Sequence, residues 1–417
     1  MAASRAIDWD TAQRIGELIA GSPPYGGPIG HSVQPLAHEF AGRVGEYTGL
    51  ELPAELPPLE MIDRPAWIAA NLLTMRPLLD PLLERLGGGP DADGEDSEAD
   101  RTGETSGEKP EADDASASTT SDASTGTNGF AGLLSGPLRS ASGSLRSASG
   151  HLLGAQLGAV TGMLSQRVLG QYDVSLLDAS VPPRLLMLAP NLAAAARNLG
   201  IDRDELVAWV AIHEITHAVQ FSGAPWLREH LGGMLRELLD GLQISGTSGS
   251  ASEEDDGKNG GLDWLRDPGA LLDRARSGEL RELLDRARRG EALRLGLGDE
   301  RWQIIERMQA TMSLIEGHAE HTMDAVGAEF LPSLPRLRAA MTRRRESRGL
   351  PWRVLERLLG LELKMRQYEV GRRFYDAVVQ AGGPEALAVT WRSPAELPST
   401  QELAEPSLWL ERVGVHA

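Results

Sequence analysis

The stretch Asp204-Glu-Leu-Val-Ala-Trp-Val-Ala-Ile-His213-Glu-Ile-Thr-His217-Ala-Val-Gln-Phe221 decides how this chain is read. Leu206, Val207, Val210 and Ile215, with Trp209, Ile212 and Val219, predict one helix buried on most of its surface. Asp202 and Glu205 form a D-x-x-E start of the capping-box type just ahead of it. Inside this apolar helix sits His213-Glu214-Ile-Thr-His217. Two histidines four apart project from one face, a turn from each other, so both imidazoles can reach one metal ion. Glu214, beside the first, is then placed to take a proton from an activated water. Polar groups in so apolar a helix are costly without partners, which favours a metal site over two isolated core histidines.

Composition narrows the field. The 417 residues suffice for two domains or one large one with insertions, and the absence of cysteine excludes disulfides and thiolate metal sites. Of the net charge of −19, residues 91–130 carry twelve acidic and two basic residues, and the loop 243–262 carries four acids and one lysine. The remainder is an ordinary solvated surface with no basic stripe, so nucleic acid is not an expected partner. From Gly87 to about Asn128 the chain is Asp, Glu, Ser, Thr and Gly with almost no apolar residues. It is expected to be disordered and available for partner recruitment. No long apolar run follows Met1, and Leu152–Leu164 is too short and too glycine-rich to span a bilayer, so a cytoplasmic location is expected.

The rest reads as largely helical, a mainly α fold with few short strands. Helices are expected over 7–21, 62–87, 151–170, 225–242, 270–295, 301–326, 335–345, 352–359, 362–379 and 385–389. Residues 138–150 repeat Leu-Arg-Ser-Ala-Ser-Gly every seven residues and read as a weak extension of the following helix. The run Arg184–Asn191 is expected to supply a short strand before the histidine helix, the edge that would hold an extended substrate.

A catalytic zinc needs three protein ligands and an open position. The extended pattern His-Glu-x-x-His-x-x-Gly-x-x-His is absent, because Gln220 and Gly223 occupy its last two places. The third ligand must come from elsewhere, and Ile315-Glu316-Gly-His318-Ala-Glu320-His321 is the best region. Glu316, His318 and His321 all remain candidates there, and either histidine could instead stabilise an oxyanion. Glu320, with Asp324 as the fallback, would orient a ligand histidine from behind.

Several runs together carry a family resemblance. They are Gly170-Gln-Tyr-Asp173, Ala189-Pro-Asn191, His213 to Phe221, Pro225-Trp-Leu-Arg-Glu-His230, Glu316-Gly-His-Ala-Glu-His321, Leu361-Glu-Leu-Lys-Met-Arg-Gln-Tyr368 and Trp391-Arg-Ser-Pro394. The chain resembles the zincin-like metalloproteases of bacteria and archaea, whose members are often associated with deazaflavin-coenzyme biosynthesis and are described as hydrolases. The acidic insertion is its departure from them. The resemblance implies a zincin-like fold, with 1–90 as its N-terminal helical part, 91–130 as an insert and 131–417 as the catalytic part, interrupted by the 243–262 loop. The Glu-Gly-x-Ala segment is similar to the second zinc helix of glutamate-type zincins, which implies Glu316 as third ligand beside His213 and His217. Arg366 and Tyr368 then become candidates for supporting the site. The implied activity is zinc-dependent hydrolysis of a peptide or protein, with Glu214 as general base. A zinc hydrolase of a non-peptide amide and a non-catalytic zinc scaffold are the alternatives.

Overall fold

The computed structural model describes residues 7–21, 33–87, 143–247, 299–346 and 361–415. The expected insert at 91–130, the helices expected over 270–295 and 352–359 and the loop beyond residue 247 lie outside the described residues. The helices are α1 (Trp9–Ala20), α2 (Ala37–Thr48), α3 (Arg64–Gly87), α4 (Gly143–Ser165), α5 (Ala189–Leu199), α6 (Arg203–Gly223), α7 (Trp226–Thr247), α8 (Asp299–Phe330), α9 (Leu334–Glu346) and α10 (Leu361–Gly382). A 3-10 stretch, Pro384–Trp391, and two short helices, α11 (Thr400–Ala404) and α12 (Pro406–Val413), follow. The fold is mainly α. Among the described residues, no helix is long and apolar enough to cross a membrane.

Three strands, β1 (Leu59–Ile62), β2 (Gly170–Asp173) and β3 (Arg184–Leu188), form one small sheet in the order β1-β3-β2. β3 pairs parallel with β1 and antiparallel with β2. The expected strand therefore exists, but it is the centre of the sheet and not an edge. Its run Leu185-Leu-Met-Leu188 is wholly buried because both faces are covered. Leu185 and Met187 join the large core, whereas Leu186 and Leu188 join a smaller core built from α1, α3 and α4. The edge that lies against the histidine helix is β2.

α4 begins at Gly143, so the repeat over 143–150 is the first part of a regular helix. The glycines that interrupt its apolar run serve packing. A methyl group at Gly154, Gly158 or Gly162 would collide with the backbone of α1, so the two helices meet backbone to backbone. The same device recurs at the site: Gly317 of α8 lies directly against Gly371 of α10.

α6 is the spine of the large core, with Leu206, Val207, Ile212, Ile215 and Val219 fully buried. Asp202 caps it, accepting from the N–H groups of Asp204 and Glu205 at 2.9 Å, a contact worth about 1 kcal/mol. The reciprocal half of a capping box is missing. Glu205 turns away and binds Ser333 at the start of α9, tying two helices together instead of closing its own.

Candidate metal centre

His213 and His217 leave α6 on the side that faces α8. Their rings stand edge to face, 4.8 Å between centroids. Glu316, on α8, completes the group: its Oε2 lies 3.7 Å from His213 Nε2 and 3.8 Å from His217 Nε2. One donor atom from each of the three residues lies within 4.8 Å of the others. Ligands about 2.1 Å from a tetrahedral ion stand about 3.4 Å apart, so this group closes on a zinc-sized ion with only small side-chain adjustments. Among the described residues, these are the group of three or more that metal-ligating side chains form.

The electrostatics favour a cation. Burial opposes charge on His213, but Glu316, Glu214 and Glu320 outweigh it and raise its pKa to about 9. The negative potential that retains a proton there also attracts a divalent ion. The donor set of two imidazoles and a carboxylate suits zinc.

Glu214 is buried beside this group and is positioned by backbone. Its Oε2 accepts the N–H of Tyr172, on strand β2, at 2.7 Å. A side chain at Gly170 would crowd it, since a β-carbon there would sit 2.8 Å from Glu214 Oε1 and 2.6 Å from Val210 Cγ1. Burial first, and the neighbouring Glu316 charge, push the Glu214 pKa up to about 7 against the pull of His213 and the Tyr172 N–H.

Support for the histidines comes partly from a residue that sequence reasoning did not assign. Gln220, fully buried one turn beyond His217, places Oε1 3.2 Å from His217 Nδ1. With the proton on Nδ1, Nε2 keeps its lone pair towards Glu316. An inward polar residue three positions after a ligand histidine is the signal that marks it. Glu320 is buried on the same helix as Glu316, and its charge reaches His213. Asp324 is elsewhere engaged, its Oδ2 2.6 Å from Arg338 and 3.3 Å from Arg372, so it ties α8 to α9 and α10. Burial nonetheless lifts its pKa to about 6 against those two arginines.

His318 and His321 point away from the group. His318 is fully buried between the rings of Tyr375 and Trp391, 5.3 and 5.5 Å between centroids, and burial first drives its pKa down to about 3. His321 binds Tyr47 and Asp376. Arg366 and Tyr368 fall within α10, and their side chains lie outside the described residues. Asn191 of the Ala-Pro-Asn run is a structural tie: its amide donates to Ser165 and Val168 carbonyls, and Arg64 donates to its oxygen.

The model of the zincin-like metallopeptidase family matches residues 7–410, so the chain belongs to that family. The fold is shared with a crystal structure from Chloroflexus aurantiacus described as a putative hydrolase with a novel fold. The two are 24% identical with a TM-score of 0.58, over 99% of this chain and 100% of that one. No curated protein matches. Membership places the chain among proteins of the metallopeptidase type, whose divalent ion is usually zinc.

Proposed function

We propose that the protein is a zinc-dependent hydrolase of peptide or protein amide bonds. The observation that carries this reading is the placement of Glu214: a buried carboxyl beside three convergent ligand donors, anchored by an edge strand. A purely structural metal site has no use for such a group. His213, His217 and Glu316 would hold the ion. When bound, zinc supplies Lewis acidity, which makes water acidic and a scissile carbonyl electrophilic.

The chain's own residues do the rest. Gln220 keeps His217 in the tautomer that offers Nε2 to the ion. Glu214, held at Oε2 by the Tyr172 N–H, takes a proton from the attacking water and gives it to the leaving amine. Gly170 leaves room for that carboxylate, and β2, running beside it, is suited to align an extended substrate.

Replacement of Glu214 by Gln should leave zinc bound, as read by metal analysis, while hydrolysis of a peptide library by the zinc-loaded protein falls at least ~100-fold. Undiminished hydrolysis in that variant would overturn the mechanism. Zinc-loaded wild-type protein that cleaves nothing would favour the scaffold alternative.

A further inference from the structure

A second arrangement of chemically capable groups lies on a different face of α8, independent of the metal centre. His321 Nδ1 is 2.7 Å from Asp376 Oδ1, on α10, and His321 Nε2 is 2.9 Å from the phenol oxygen of Tyr47, on α2. The carboxylate accepts only, so the Nδ1 proton belongs in that bond. When the ring carries only that proton, Nε2 is an acceptor and the Tyr47 O–H is the donor to it. Hydroxyl, imidazole and carboxylate thus stand in the order, and at the separations, by which a base oriented by a third group activates a nucleophile. Arg372 approaches the other Asp376 oxygen at 3.7 Å and also contacts Asp324, which steadies the carboxylate in place. Tyr47 is partly exposed, the His321 side chain is 12% exposed and that of Asp376 is 51% exposed.

Burial, and then the Asp376 charge, hold the Tyr47 phenol above its ordinary pKa, so it is protonated at neutral pH. Reactivity must therefore come from loss of the proton during attack and not from a standing phenolate, which is the service a neutral imidazole in contact with the hydroxyl can provide.

We propose that Tyr47 is an acyl-acceptor site, its phenol oxygen attacking activated esters while His321, fixed by Asp376, takes the proton. In the reaction, the Tyr47 oxygen bonds to the acyl carbon and the ester C–O bond breaks. The leaving group departs as its anion, and the phenol proton passes to His321 Nε2 and then to water. No oxidant, reductant or metal is needed. In a structural tie between α2, α8 and α10, by contrast, Tyr47 would react no faster than an ordinary tyrosine.

The test is acetylation of the full-length protein by p-nitrophenyl acetate near neutral pH, with acetyl groups located by peptide mass spectrometry. The chain holds five tyrosines, which supply internal references. Tyr47 should be acetylated at least about tenfold faster than any other tyrosine. The His321→Gln variant should lower its rate roughly 100-fold, and Asp376→Asn by a smaller factor, with Tyr47→Phe as the unlabelled control. Thermal melts identify variants that remain folded, and if His321→Gln does not fold, Asp376→Asn carries the comparison. Tyr47 labelling no faster than that of the other tyrosines, or an unchanged rate in a folded His321 or Asp376 variant, would overturn the proposal.

Discussion

Two pairs of histidines invite comparison. His213 and His217 are four residues apart on α6, and His318 and His321 are three apart on α8; both spacings place a pair on one side of a helix. The first pair converges on Glu316. The second pair diverges, one ring entering a sleeve of Tyr375 and Trp391, the other held between Tyr47 and Asp376. Helical spacing brings two imidazoles together, but the helix opposite decides what they do. α6 faces a carboxylate on α8, whereas the second pair faces aromatic rings, a phenol and an ion-paired acid on α2, α10 and the 3-10 stretch.

The comparison can be broken most sharply at its carboxylate. Replacing Glu316 by Ala should abolish stoichiometric zinc in metal analysis of the purified protein, whereas His318→Leu or His321→Gln should leave it in place. A variant at either of the latter positions that lost its metal would erase the distinction between the two pairs. Next in size, Gln220→Ala should weaken zinc by roughly 10–100-fold in a chelator competition, because it releases the tautomer of His217. An unchanged affinity would mean that Gln220 merely packs.

Stability separates the pairs in the other direction. Neither ring nitrogen of His318 meets a hydrogen-bond partner among the described residues, so its ring acts as packing between two aromatic side chains. His318→Ala should cost about 2–4 kcal/mol in denaturant unfolding through the cavity it leaves, while His318→Leu, which fills the space without a polar group, should cost little. A large loss for Leu with none for Ala would contradict the packing role.

The smallest effect is a pH dependence at Asp324. Its folded pKa of about 6 lies above the ordinary 3.8, so the folded state binds this proton more tightly than the unfolded chain does. Its contribution to stability is therefore fully present below about pH 4 and is lost as pH rises through about 6. Asp324→Asn should flatten the unfolding curve between those limits. A wild-type contribution that instead grew with pH over that window would show the two arginines outweighing burial.

Much of this architecture was legible from residue order alone, for reasons that differ by element. The buried periodicity of α6 and its Asp202 start were readable because a helix is a local object, and its two histidines share a face by geometry. Glu316 was readable only through likeness to a family pattern, since nothing within α8 reports what lies across from it. The role of β3 was misjudged: its run Leu185–Leu188 is apolar on both faces, the mark of a central strand, yet edge and centre differ only in what pairs alongside. β1 and β2 are four residues each: β1 exists through β3, far away in sequence, and β2, although near β3 in the chain, is too short for its own pattern to announce it. The Tyr172 N–H that anchors Glu214 is a backbone group, which every residue but proline carries. Gly170 hints at it, because only the missing β-carbon lets the strand come so near to α6. The expected helices include neither α2 nor α5, although Ala193, Ala195 and Ala196 in α5 are good helix formers.

Diffraction at the zinc absorption edge from crystals of the zinc-loaded protein tests the central claim most directly. One anomalous peak should lie about 2.0–2.2 Å from His213 Nε2, His217 Nε2 and a Glu316 carboxylate oxygen, with one coordination position left to non-protein ligands. A peak bound through His318 or His321, or a zinc enclosed by four protein ligands, would contradict that claim.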